Sequence, residues 1–326
     1  MKPSTSLWYE AQQKLSLRTE MLCPAGDHDV VLDALFSGVS RGTERLVFFG
    51  KIPESEWRRM QCPNQDGSFP FPVKYGYGFV GRIAVGSGRK AGNPVFCLHP
   101  HQSCAVVAAD APVPLPDGVP ARRGILAANM ETAINVVWDS QASVGDRVLV
   151  VGAGVVGLLI GYVMSRIAGV EVTLCDTNAG RRVVAEALDL AFCAPDSAPK
   201  GCDVTVNASA SAGGLETAVS AAGPEARVIE ASWYGDAEVR VPLGGAFHSQ
   251  RLQLISSQVG RLPAKRQARW THRRRLELAV SLLDDPALDH LITHEIDFDA
   301  APDQLPPLFD DPSVLAIALR YPPSGE

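Results

Sequence analysis

The most constraining stretch of the chain is an apolar run at 148–152 that enters Gly152-Ala-Gly-Val-Val-Gly157 and continues as a second apolar run to about Ala168. The first run is short, mostly β-branched and uncharged, as a buried strand is; the second has the length of a helix. Each glycine has a separate task. Gly152 permits the tight turn, Gly154 lets backbone approach a pyrophosphate, and Gly157 lets helix and strand pack closely. The helix start, with Ala153, Val155 and Val156 around Gly154, offers free N–H groups and a positive dipole end to phosphate. A further strand at 171–175 ends in Asp176, nineteen residues beyond Gly157. A carboxylate there can hold the ribose hydroxyls of a dinucleotide. The competing reading is a glycine-rich turn in an ordinary α/β domain, and the strand, helix and acid together weigh against it.

The 326 residues allow two domains, and the net charge of −6 argues against nucleic acid or an anionic membrane as the main partner. No apolar run reaches the length of a membrane span, and residues 1–20 lack the basic start and apolar core of a signal peptide. Seven cysteines scattered from Cys23 to Cys202 fit a reducing compartment better than a disulfide framework, so a cytoplasmic protein is expected.

Residues 7–22 read as a short strand pair and 30–35 as a stronger strand. Ser37-Gly-Val-Ser-Arg-Gly-Thr-Glu44 then opens a helix near 45–49. The segment 51–72, broken by proline and glycine, reads as a surface excursion. Lys74-Tyr-Gly-Tyr-Gly-Phe-Val-Gly-Arg82 precedes a strand reaching Val85, and strands near 95–98 and 104–108 flank His99-Pro-His101. Short strands with this punctuation suggest a compact, barrel-like β domain. After Pro112, Pro114 and Pro116, 121–141 reads as a helix. Beyond Asp176 the expectation is helix 179–190, strand 203–207, helix 215–222, and strands 227–231 and 252–256, the alternation of a doubly wound parallel sheet. Ligands in such sheets lie beyond the C-terminal strand ends, which brings forward Asn207, Ser209, Ser232, Trp233 and Ser257 for the nicotinamide end. A helix over 263–283 and strands at 291–296 and 314–319 close the chain, the strands returning to complete the first domain.

Taken together, the β-rich start, the mid-chain fingerprint and the C-terminal return resemble the medium-chain dehydrogenase/reductase superfamily over nearly the whole chain. Ser37-Gly-Val-Ser-Arg-Gly-Thr-Glu44, Ser232-Trp-Tyr-Gly235 and Phe247-His-Ser249 resemble its bacteriochlorophyllide a dehydrogenase branch. The resemblance implies an α/β chain with a GroES-like β-barrel catalytic domain (1–120 and 263–326), a Rossmann doubly wound parallel-sheet domain (121–262) and a homodimer. It also makes the departures informative. Ser40 stands where zinc members of the family carry a cysteine, and Tyr77 stands where they carry a histidine. Asn129-Met-Glu131 is similar to the E-P-L segment of polyol dehydrogenases. One carboxylate with two hydroxyls is a poor zinc site, and the four clustered cysteines of the structural zinc lobe are missing, so no zinc is expected.

Without a metal, hydrogen-bond donors must polarise the substrate oxygen. The resemblance turns the Tyr77 hydroxyl toward the nicotinamide, as a donor or, with a lowered pKa, a general acid. Simple packing between glycines is its bland alternative. Thr43 or Ser40 is the candidate proton relay, and Glu44 and Glu131 are the carboxylates nearest the presumed cleft. Capping of the following helix is the plainer role for Thr43-Glu44, and ion pairing for Glu131. His99 is a possible acid/base, since Cys97-Leu-His99-Pro-His101 has the wrong spacing for a metal device. The cluster Arg261 to Arg275 reads as a structural, interdomain clamp pairing with acids, with an anion handle as the minority alternative and a solvated helix face as the plain one.

Asp176 accepts a ribose 2′-hydroxyl and repels a 2′-phosphate, favouring NAD(H) over NADP(H); Arg181 and Arg182 act the other way. The expected activity is zinc-independent hydride transfer between NAD(H) and a small-molecule secondary alcohol/ketone pair. A quinone or enone reductase and a non-catalytic dinucleotide-binding protein stay open beside it.

Overall fold

The computed structural model describes residues 2–86 and 94–323; the others in the sequence, all within the expected first domain, lie outside the described residues. The chain forms two compact units, Met1–Ala128 with Val280–Glu326, and Asn129–Ala279. The expected boundaries at 121 and 263 are thus each shifted. Residues 121–128 stay with the first unit because the short helix Ala121–Gly124 packs on Asp29–Val39 and its neighbours. Residues 263–279 stay with the second because Arg275 and Trp270 bond into the helix Ala127–Ser140.

In the first unit the strand Asp29–Val39 is the hub. Val30, Leu32 and Ala34 alternate into the core, as the period of a strand requires. It pairs antiparallel with Phe79–Gly86, Cys104–Ala108 and the returning Ala316–Arg320, so the last strands of the chain do complete the β domain. The seven-stranded sheet runs out through Ile292–Asp297 on one side and Val95–Cys97 and Val113–Pro114 on the other. A four-stranded sheet built on the hairpin Pro3–Ala11 and Lys14–Met21 completes this GroES-like unit. The 51–72 excursion is anchored rather than loose, since Ile52, Cys62 and Phe69 are buried.

The second unit holds six parallel strands in the order Ala191–Cys193, Glu171–Cys175, Arg147–Val151, Cys202–Asn207, Ala222–Glu230, Gln253–Ser256. The order reverses between Arg147–Val151 and Cys202–Asn207, which makes that gap the topological switch point of a Rossmann sheet. Burial on both faces explains why Val148 to Val151 read as an unbroken apolar run after the exposed Arg147.

Several expected elements need correction. Residues 263–271 are turns rather than helix, and the helix is only His272–Ser281, because Arg266, Trp270 and Arg274 are held by ring contacts and side-chain bonds instead of a helical ladder. The helix after Gly154 stops at Met164 and not near Ala168. The 179–190 helix is shorter, Arg182–Ala187 after a 3₁₀ turn, and the edge strand Ala191–Cys193 follows unexpected; three residues are too few to show periodicity.

The glycine turn follows the sequence closely. Gly152 has φ +101°, and a Cβ on Gly157 would lie 1.8 Å from the Gly152 carbonyl oxygen, whereas one on Gly154 would meet nothing within 4 Å. Gly157 is therefore structural, and Gly154 faces open space. Gly157→Ala is expected to lower the unfolding free energy by at least about 2 kcal/mol in thermal or urea denaturation, while Gly154→Ala leaves stability within about 1 kcal/mol.

Candidate active site and dinucleotide site

Gly152 N donates to the Cys175 carbonyl (2.7 Å) and Ala208 N to the Val151 carbonyl (2.8 Å), stitching the turn to strands on either side. Helix Val155–Met164 starts from Gly154, with Val155 and Val156 in its first turn half-buried. Asp176, directly after its strand, accepts from Ala153 N (2.7 Å) through one carboxylate oxygen and from Asn178 N (2.8 Å) through the other. The acid and the turn are thus held as one piece, 23 residues apart in sequence. Arg181 is buried, and Arg182 lies over the Phe192 ring at 4.9 Å and donates to the Phe192 carbonyl.

Asn207 ends its strand fully buried. Its Oδ1 accepts from the Ser209 hydroxyl (2.7 Å), and its Nδ2 lies 2.8 Å from both Glu230 Oε2 and the Tyr234 hydroxyl. Ser232 N donates to Glu230 Oε1 (2.8 Å), and the Ser232 hydroxyl accepts from Ala210 N. Asn207, Ser209 and Ser232 are therefore brought together by Tyr234, which belongs to the expected Ser232-Trp-Tyr234 stretch, and by Glu230, which sequence reasoning did not select. An acid closing a buried strand was the signal available for Glu230. Trp233 is half-buried in the same loop. Ser257 N donates to the Glu230 carbonyl (3.0 Å), while its hydroxyl donates to Asp139 Oδ2 at 2.6 Å.

In the first unit the helix Arg41–Phe48 starts at Ser40, which is its N-cap, so Thr43 is not the cap. Glu44 performs the capping instead, its Oε1 accepting from Ser40 N at 2.7 Å. Its Oε2 accepts from the Tyr9 hydroxyl (2.7 Å) and from His101 Nε2 (2.8 Å). With the His101 proton on Nε2, Nδ1 accepts from the Ser37 hydroxyl (2.7 Å), which accepts from the Tyr321 hydroxyl (2.9 Å). This assignment gives each bond one donor. Tyr9, Ser37, Glu44 and His101 are each 0% exposed, so Glu44 belongs to a buried network rather than an open cleft. Gly76 makes room for it, since a Cβ there would meet His101 Nε2 at 2.7 Å.

Tyr77 sits at the edge of this network, half-buried, with its hydroxyl hydrogen-bonded by the side chains of Ser40 and Thr43. Burial pushes that hydroxyl up to about 12, and the two neighbouring hydroxyls only partly oppose it. Tyr77 is protonated at neutral pH and able to donate; the lowered pKa considered for it is reversed. His99 faces another way, its Nδ1 3.0 Å from the Pro100 carbonyl and its ring against Phe79. Burial depresses it to about 4, so the acid/base expectation for His99 gives way to a neutral, structural histidine. The histidine in contact with a carboxylate is His101.

Glu131 lies inside the second unit, ion-paired to Arg275 at 3.0 Å; burial raises its carboxyl while Arg275 opposes the rise. Arg275 also bonds Asn135 Oδ1 and the Val259 carbonyl. Trp138 and Trp270 pack at 4.7 Å with Arg266 and Arg274 over their rings. These bonds hold the basic segment within the second unit, a correction to the interdomain clamp expected of it, because its acid and ring partners lie on the helix of the same unit.

Among the described residues, no three His, Cys, Asp or Glu side chains form a group able to hold a metal ion, and no helix is long and apolar enough to cross a membrane. The His99 shift has a measurable consequence. Unfolded histidine binds its proton near 6.5 and folded His99 near 4, so the unfolded state holds more protons between these values. Stability from this group is complete above about pH 6.5 and lost as pH falls toward about 4, up to about 3 kcal/mol. Denaturation midpoints measured across that window should fall for the native chain and fall less steeply for His99→Gln.

No family model matches the sequence. The 2-desacetyl-2-hydroxyethyl bacteriochlorophyllide A dehydrogenase of Rhodobacter capsulatus is 25% identical over 319 residues, covering 92% of both chains. Among solved structures, L-idonate 5-dehydrogenase of Escherichia coli matches with a TM-score of 0.82 at 13% identity, over 98% of each chain. A short chain alcohol dehydrogenase of Escherichia coli CFT073, complexed with NADH, matches with a TM-score of 0.76 at 19% identity, over 98% of this chain and 99% of its own.

Proposed function

We propose that this chain, which has the fold of the medium-chain dehydrogenase/reductase superfamily and resembles its bacteriochlorophyllide dehydrogenase branch, is an NAD(H)-linked oxidoreductase acting on a secondary alcohol/ketone pair without zinc. The observation that carries the reading is the pairing of Asp176 with Ala153 N. It fixes a carboxylate beside the open backbone of Gly154, where a dinucleotide needs a ribose acceptor and a pyrophosphate seat. Gly152, Ala153, Gly154, Val155, Val156 and Gly157 take the pyrophosphate in this reading, and Asp176 takes the ribose, favouring NAD(H) over NADP(H). Asn207, Ser209, Ser232 and Trp233 take the nicotinamide half. Arg182 is occupied by Phe192, which weakens any case for it as a 2′-phosphate partner.

The bound dinucleotide supplies or accepts the hydride. The chain's own task is to polarise the substrate oxygen and to move a proton. Tyr77 is the assigned donor, with Ser40 and Thr43 able to pass the proton onward from its hydroxyl. The donor set does not suit zinc: two of the three ligand positions hold hydroxyls that bond each other, and Glu131 is already neutralised by Arg275. Glu44 and His101 serve as positioning residues, holding the backbone of Ser40. The exposed edge strand Gln253–Ser256, with Leu254 uncovered, supports a homodimer, and seven cysteines held as thiols rather than disulfides suit a cytoplasmic setting.

Tyr77→Phe should reduce turnover of ketone substrates by at least about tenfold, equivalent to about 1.4 kcal/mol of barrier, with little change in cofactor affinity. An unchanged rate removes Tyr77 from the mechanism. Metal analysis of the active protein should find no stoichiometric zinc, and zinc at one per chain contradicts the metal-free reading. Firm NADH binding without turnover of any ketone or enone would instead identify a non-catalytic binding protein.

A further inference from the structure

Cys175 and Cys193 end neighbouring parallel strands and are direct register partners. Paired positions in adjacent strands present their side chains on one face, and both cysteines pack on the same apolar cluster beneath helix Ala212–Ala221. Their thiols are hydrogen-bonded to each other. Paired residues on neighbouring parallel strands are about 5 Å apart at Cα, inside the range a disulfide spans. The two thiols are not equivalent. Cys175 is fully buried and pushed up to about 12 by burial, whereas Cys193 is half-buried. Burial raises Cys193 too, but the Cys175 thiol and the Arg182 guanidinium both favour its thiolate. The pair also sits against Asp176, the residue after Cys175, whose backbone N–H donates to the Cys193 carbonyl at 3.3 Å.

We propose that Cys175 and Cys193 form a thiol modification site, closed to a disulfide by a small-molecule disulfide such as oxidised glutathione, that weakens dinucleotide binding by displacing Asp176. The Cys193 thiolate attacks one sulfur of oxidised glutathione; that S–S bond breaks and one glutathione leaves as its thiolate. Cys175 gives its proton to that thiolate and attacks the Cys193 sulfur, forming the protein disulfide and releasing the second glutathione, which takes up the proton Cys193 lost. Two protein thiols are oxidised and one glutathione disulfide is reduced to two thiols. Turning the two side chains to the dihedral angle a disulfide demands shifts the backbone on which the Asp176 carboxylate and its bond to Ala153 depend. Arg182 pins Phe192, the residue before Cys193, so the movement falls on the Asp176 side.

The disulfide itself is independent of the assigned activity; its effect on affinity rests on reading Asp176 as the ribose carboxylate. The full chain is incubated with oxidised glutathione, digested and mapped by mass spectrometry, and NADH affinity is measured before oxidation, after oxidation and after dithiothreitol. The expected result is a cross-link between the peptides carrying Cys175 and Cys193. It should come with NADH binding at least about fivefold weaker, restored by dithiothreitol and insensitive to oxidant in Cys193→Ser. Cys193→Ala replaces that variant if it fails to fold. Full modification of the exposed Cys23 without a 175–193 cross-link overturns the proposal, as does a cross-link that leaves NADH affinity unchanged. If the reduced chain binds no NADH, the oxidoreductase reading falls, and the cross-link alone decides whether the dithiol exists.

Discussion

The backbone contact between Gly157 and Gly152 is the constraint on which the second unit depends. Helix Val155–Met164 can lie on strand Arg147–Val151 only because no Cβ separates them, and the carbonyl of Gly152 occupies the space one would need. That approach aims the helix N-terminus past Gly154 at open space and leaves Ala153 N free to be taken by Asp176. Two strands, one helix and an acid are thus locked by the absence of one carbon. The switch point of the sheet follows from the same place, since Cys202–Asn207 joins the other edge of Arg147–Val151.

The first unit solves a different problem. It buries a carboxylate, an imidazole and three hydroxyls with no apolar substitute, and it does so by giving each acceptor a donor. Glu44 is the junction, linking the helix start at Ser40 to the hairpin through Tyr9 and to the His99–His101 loop. A partly satisfied network would cost more than a greasy core, which is why Gly76 must stay small beside His101. Tyr77 lies where this rigid network meets the surface. Its hydroxyl is held by Ser40 and Thr43 at the start of a capped helix, the fixed setting that the proposed donor role requires.

The glycine turn, Asp176, the alternating strands and the C-terminal return were all legible in the sequence, because each rests on local spacing or on period. The β-branched run at 148–152 cannot be mistaken for a surface segment. The groups that the sequence left scattered are joined over long separations. His101 meets Glu44 from 57 residues away and Arg275 meets Glu131 from 144, and only topology brings them together. His99 and His101 look alike in the sequence; the turn at Pro100 sends one against Phe79 and the other to a carboxylate. The 263–271 stretch has the charges of a solvated helix, yet Arg266 is drawn over the Trp138 ring and Trp270 packs against the same ring. Tertiary packing overrode local pattern there.

The proposed preference for NAD(H) rests on the glycine turn and Asp176, so the most direct measurement is a fluorescence titration of the purified chain with NADH and with NADPH at equal ionic strength. The expected result is saturable binding of both forms with NADH at least about tenfold tighter, about 1.4 kcal/mol, and that preference lost in Asp176→Ala. Equal or tighter binding of NADPH by the unaltered chain, or no binding of either, would contradict it.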